Sequence, residues 1–147
     1  MVIYELGLIK EGVLLVEKQY YQEYQMKVDP LLRSGFFSAL NSFAEEAFSD
    51  SIESFSMKNF KIALLTHPIS ESNPLKMTCY CICDKKMNLD LAQKALTKVL
   101  ETFLKSFSFL EDFSVDLAIF EEFKKVIDNI LGDLVKKPDD RLRSIFG

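Results

Sequence analysis

The sequence predicts a single α/β domain of α+β type, with its elements in the order β-β-α-β-β-β-α-α. Three observations carry this: apolar runs bounded by short turn pairs, three stretches whose apolar residues step by three and four, and an apolar run from Lys76 to Cys83. A chain of 147 residues with 48% hydrophobic content is enough for one sizeable core. Thirteen Phe and no Trp make that core rich in plain hydrocarbon rings.

Met1 to Lys10 is apolar with a break at Glu5, Glu11-Gly12 turns the chain, and Val13 to Tyr21 resumes with β-branched and aromatic residues. This predicts a hairpin. Gln22 to Val28 loses the pattern, and Asp29-Pro30 then supplies an N-cap and a proline at the first helical position. From Pro30 to about Phe48, Leu32, Phe36, Leu40, Phe43 and Ala47 mark the face of a first helix expected to lie on the sheet.

Ser51 to Met57 reads as a polar third strand, and Lys58-Asn59 as a two-residue turn into a fourth strand, Phe60 to Thr66. That turn sets Met57 opposite Phe60 and Phe55 opposite Ile62, with the apolar side chains on one face. A polar loop from His67 to Pro74 follows, and then Lys76 to Cys83, apolar almost throughout, as expected of a central strand covered on both faces. Leu89, Ala92, Leu96, Val99 and Phe103 define a second helix running to about Phe107. After an interruption from Ser108 to Ser114, Ile119, Phe123, Val126, Ile127, Ile130 and Leu134 define a third, limited by Gly132 and Pro138. The domain is expected over residues 1–137, with a short tail at 138–147 ending in Ile145-Phe146.

Charge and motifs exclude more than they identify. With 18 basic residues interspersed among 22 acidic ones and a net charge of −4, the chain is not expected to hold nucleic acid. It shows no signal-peptide pattern at its start and no apolar stretch long enough to span a membrane, so a cytoplasmic location is expected. Cys79, Cys81 and Cys83 alternate, which in a strand separates neighbours on one face by roughly 6.6 Å, beyond disulfide reach. With His67 the only histidine, neither a metal site nor any cofactor is expected, and buried thiols are the simpler reading.

Glu45-Glu46 and Glu121-Glu122 are adjacent on helices and diverge by about 100°, so neither forms a facing acid/base pair. No nucleophile motif accompanies His67, and no phosphate-binding glycine loop occurs. The chain is therefore not expected to be an enzyme, and no residue is assigned a catalytic role.

The element order, with the apolar start Val2-Ile3-Tyr4, a first helix opening near Leu31 and the apolar fifth strand Met77 to Ile82, resembles the longin domain of the SNARE-like fold. That resemblance implies a five-stranded antiparallel sheet with the first helix on one face and the last two on the other. It implies a subunit or homodimer that scaffolds a small GTPase or a vesicle-trafficking complex, by pairing with itself or with longin- or roadblock-type subunits. The heptad segment and membrane anchor of a longin SNARE are not found after the third helix, so the domain is expected to be free-standing.

A second stripe on the first helix, Phe37, Ala44 and Phe48, lies roughly 100° from the face expected to be buried, wider than one seam requires. The longin resemblance implies a partner groove between this helix and the third strand, which carries Ile52 and Phe55. The expected partner-binding residues are therefore Phe37, Asn41, Ala44, Phe48, Ile52 and Phe55. The competing reading is a profilin-like small-molecule sensor, with a pocket lined by the Cys79, Cys81 and Cys83 side of the fifth strand.

Overall fold

The computed structural model describes residues 2–21, 30–71, 75–107 and 120–135. The Ser108 to Ser114 interruption, Ile119 and the tail at 138–147 lie outside the described residues. Strands β1 (Ile3–Lys10) and β2 (Val13–Gln19) are followed by helix α1 (Pro30–Phe48), then β3 (Ser54–Ser56), β4 (Phe60–Pro68), β5 (Lys76–Asp84), α2 (Leu89–Ser106) and α3 (Phe123–Leu131). The expected order of elements is the order observed.

Every strand pairing is antiparallel, and the sheet runs β2-β1-β5-β4-β3. The first hairpin turns at Glu11 and Gly12, with φ of 47° and 85°, the left-handed pair that a tight two-residue turn requires. The second hairpin has the register expected of it: Phe55 pairs with Ile62, and Met57 N–H donates to Phe60 O at 2.7 Å. Its first strand is shorter than the expected Ser51 to Met57, because only Ser54–Ser56 pairs as strand. Conversely β4 runs on through His67 and Pro68, which pair with Met77 and Lys76. His67 thus stands exposed at a strand end and not in a loop.

β5 occupies the centre, and its alternation divides the core in two. Met77, Cys79, Cys81 and Cys83 face the cluster built by α2 and α3, among them Ala92, Leu96, Val99, Phe103, Phe120 and Ile127. Tyr80 and Ile82 face the other cluster, with Val2, Tyr4, Ile62, Leu64 and Phe37 of α1. One helix therefore covers one face and two cover the other.

Asn88 caps α2, its side chain accepting from the N–H groups of Asp90 and Leu91. α3 is moored to the edge strand: Tyr20 Oη donates to Asp128 Oδ1 at 2.7 Å, and Lys18 Nζ lies 3.5 Å from Asp128 Oδ2. Burial and this carboxylate both push the Tyr20 hydroxyl above its ordinary pKa.

Candidate protein-docking site on the first helix

α1 sits on the sheet through polar as well as apolar contacts. Glu5 of β1, almost wholly buried, receives Arg33 Nη2 at 2.6 Å and Gln19 Nε2 at 2.9 Å on Oε1, and Tyr80 Oη at 2.8 Å on Oε2. Burial, then the charge of Glu5, raises the pKa of the Tyr80 hydroxyl. Ser34 Oγ donates to Gly12 O at 3.3 Å, and Lys76 pairs with Glu45 further along. Asn41 donates to Thr66 Oγ1 at 3.4 Å and accepts from Ile52 N–H at 3.1 Å, tying the helix to β4 and to the approach of β3.

These contacts fix which face of α1 looks inward, and it is not the one expected. Arg33, Ser34, Phe37, Asn41 and Ala44 are buried, whereas Leu32 is 68% exposed, Phe36 56%, Phe43 62% and Phe48 73%. The face expected to lie on the sheet is thus the outer one. The physical reason is that the sheet beneath α1 is not purely apolar. Glu5 and Thr66 need hydrogen-bonding partners, which Arg33 and Asn41 supply, Thr66 in turn meeting Thr78, and small Ser34 and Ala44 let the helix come close.

The expected partner-binding residues separate accordingly. Phe37, Asn41 and Ala44 are buried on the inward face of α1, with Phe37 at the floor of an apolar groove. Phe48 is open to solvent, stacked edge-on with Phe43 at 6.4 Å between ring centres. Ile52 and Phe55 are half-buried against the α1 cluster, and the Phe55 ring lies 6.2 Å from that of Phe37. Sequence periodicity placed Leu32, Phe36 and Phe43 on the face expected to lie on the sheet, and so did not select them, or Met57, as partner-binding residues.

Between α1 and β3 lies an apolar groove of about 310 Å³. Leu32, Phe36 and Met57 form its exposed walls, and Phe37, Ile62 and half-buried Phe55 its floor. The walls of this groove on the helix side, Leu32 and Phe36, come from the outer face of α1. Further along α1 the exposed Phe43 and Phe48 rings meet each other.

The cysteine side of β5 offers no comparable space. Cys79, Cys81 and Cys83 are free thiols with no exposure, packed against α2 residues that are themselves buried. Burial raises the pKa of Cys79. The acidic pairs on the helices are engaged at the surface: Glu121 lies 3.1 Å from Lys124, and Glu122 3.4 Å from Lys125. Among the described residues no helix is long and apolar enough to cross a membrane.

Among solved structures the chain is similar to Myxococcus xanthus MglB, with a TM-score of 0.53 and 16% identity over 76% of this chain and 82% of that one. A structure described as MglB with tetrameric arrangement follows at a TM-score of 0.45 and 14% identity, over 71% of this chain and 79% of that one. No protein-family model matches the chain, and no curated protein sequence does. At such identity the likeness to Myxococcus xanthus MglB shows the fold alone, an α+β domain with a five-stranded antiparallel sheet. The SNARE-like and vesicle-trafficking attributes that the resemblance implies find no support in these comparisons.

Proposed function

We propose that this chain is a non-catalytic protein-interaction module of longin/roadblock type, acting as one subunit of a homo- or heterodimer that scaffolds a small GTPase or a related complex. One observation carries the reading. Leu32, Phe36, Phe43 and Phe48 are four large apolar side chains more than half exposed on one helix: the first three share its outer face, Leu32 and Phe36 border an apolar groove, and Phe43 meets the Phe48 ring at the helix end. Scattered apolar residues on a surface need no explanation, but a contiguous row of this kind is typical of a protein contact.

Covering this face would bury aromatic rings of the sort that dominate interface energetics. Phe36→Asp with Phe43→Asp tests it, since both side chains are exposed and the fold has no need of them. Light scattering should show an assembly for the native chain and the monomer mass for the variant. Retention of captured small GTPases by the native chain and not by the variant would support the GTPase part of the reading. A native chain that is monomeric and captures nothing sinks it.

A further inference from the structure

We propose that the groove between α1 and β3 takes an acidic, partly apolar segment of a partner protein, with apolar side chains in the groove and carboxylates at Lys58, Lys85 and Lys86. This rests on the interaction reading above and narrows it to one chemistry of partner.

The cationic end of the groove follows from the sheet register. Met57, a groove wall, leads directly into the turn at Lys58-Asn59, and Phe60 on the far side of that turn pairs with Asp84. The turn at Lys85-Lys86 therefore lies at the same end of the sheet. All three lysines are exposed, and none is ion-paired among the described residues. Asp84, the carboxylate nearest in the register, accepts from Val2 N–H at 3.0 Å. In a chain of net charge −4, three lysines without ion pairs among the described residues, at the sheet end where the groove wall Met57 stands, attract an anionic ligand.

Among the described residues the groove is lined by no carboxylate, and its one charged lining residue, Arg33, is committed to Glu5 at 2.6 Å. A second copy offering this same surface would therefore bring no acid to meet the lysines. An anionic lipid surface would meet the lysines, but a flat one touches only the walls and leaves the floor at Phe37 and Ile62 empty. A chain segment fills both. The edge of β3 supplies a further contact. Its ladder bonds run through Glu53, with Leu64 N–H donating to Glu53 O at 2.9 Å, and through Met57, so the alternation turns the backbone groups of Ser54 and Ser56 outward. An extended segment can pair there while its side chains enter the groove.

The experiment is selection of a random peptide display library on the full chain, followed by fluorescence anisotropy with the recovered peptides. Recovered sequences should combine apolar residues with Asp and Glu. Lys58→Glu/Lys85→Glu/Lys86→Glu should weaken these peptides by about ten-fold, and the native affinity should fall as salt rises. Leu32→Asp/Met57→Asp should abolish binding, and circular dichroism should show both variants folded. Peptides without acidic enrichment, affinity unchanged in the triple variant, or lysine-dependent binding to phosphatidylserine vesicles in place of peptides would each overturn the proposal. If no peptide is recovered while Phe36→Asp/Phe43→Asp still dissociates an assembly, the acidic-segment proposal falls and the interaction reading stands. If neither occurs, both fall.

Discussion

Arg33 Nη2 of α1 stands 2.6 Å from Glu5 Oε1 of β1, and both side chains are over nine-tenths buried, at 5% and 8% exposure. The pair decides which face of the helix meets the sheet. Arg33→Ala would leave Glu5 charged and buried with only Gln19 and Tyr80 as donors, at an expected cost of about 3–5 kcal/mol. Chemical denaturation measures this. Arg33→Met combined with Glu5→Leu should recover most of the loss, because the most deeply buried carboxylate leaves with its cation and Glu17, 3.8 Å from Arg33, loses an attraction and a repulsion together. A single variant as stable as the native chain would show that the pair does not seat the helix.

Glu17 carries a pH dependence. Desolvation first, then repulsion from Glu5, raises its carboxyl above the ordinary 4.5, against the opposing pull of Arg33 and Lys124. A raised folded-state value means that the folded protein holds the proton more tightly than the unfolded chain. Stability contributed by protonated Glu17 is therefore present below 4.5 and is lost as pH rises through the folded-state value. Glu17→Gln should flatten this part of the stability profile and favour the variant at neutral pH relative to acid. Denaturation midpoints from pH 4 to 7 decide the matter, and a variant that loses most at pH 7 contradicts it.

Gly7 makes room for Tyr80. A Cβ at position 7 would lie 2.4 Å from Tyr80 Cε1, and that ring is held from the other side by Phe37 at 4.8 Å and by its bond to Glu5. Gly7→Ala should cost about 1–3 kcal/mol through overpacking. Adding Tyr80→Leu should relieve the clash, so the double variant loses less than the two single losses together. Strict additivity in denaturant titrations would exclude contact between the two positions.

The three cysteines should be chemically silent in the folded protein. Each is fully buried, and the Cys79 thiol is held in its protonated form. An aromatic disulfide reagent should label none of them over the time in which it labels all three in denaturant. Fast stoichiometric labelling of the native chain would refute the packing of β5 against α2.

Substitution at Phe37 and Phe43 should separate core from surface on one helix. Phe37→Asp places a charge among Tyr80, Ile62 and Leu64 and should unfold the domain, whereas Phe43→Asp, at a 62% exposed position, should leave its melting temperature nearly unchanged. Equal effects of the two would reverse the orientation of α1.

Much of the architecture was legible in local chemistry. The Glu11-Gly12 turn, the register that sets Phe55 against Ile62, the buried alternation around Cys81 and the Leu96, Val99, Phe103 seam are all local or periodic signals, and each is present in the fold. Such signals act between residues a few positions apart, where steric and hydrogen-bond rules leave few options. The face of α1 was different, because two apolar stripes compete on one helix and periodicity ranks them by hydrophobicity alone. What chose between them lies far off in sequence: Glu5 awaiting a cation, Thr66 awaiting an amide, and the Tyr80 ring awaiting Phe37. The sequence by itself determined the elements, their order and the central strand. Tertiary structure alone decided that Phe37 is core and Phe36 is surface, since the cost of burying Glu5 unpaired outweighs the gain from burying one more phenyl ring.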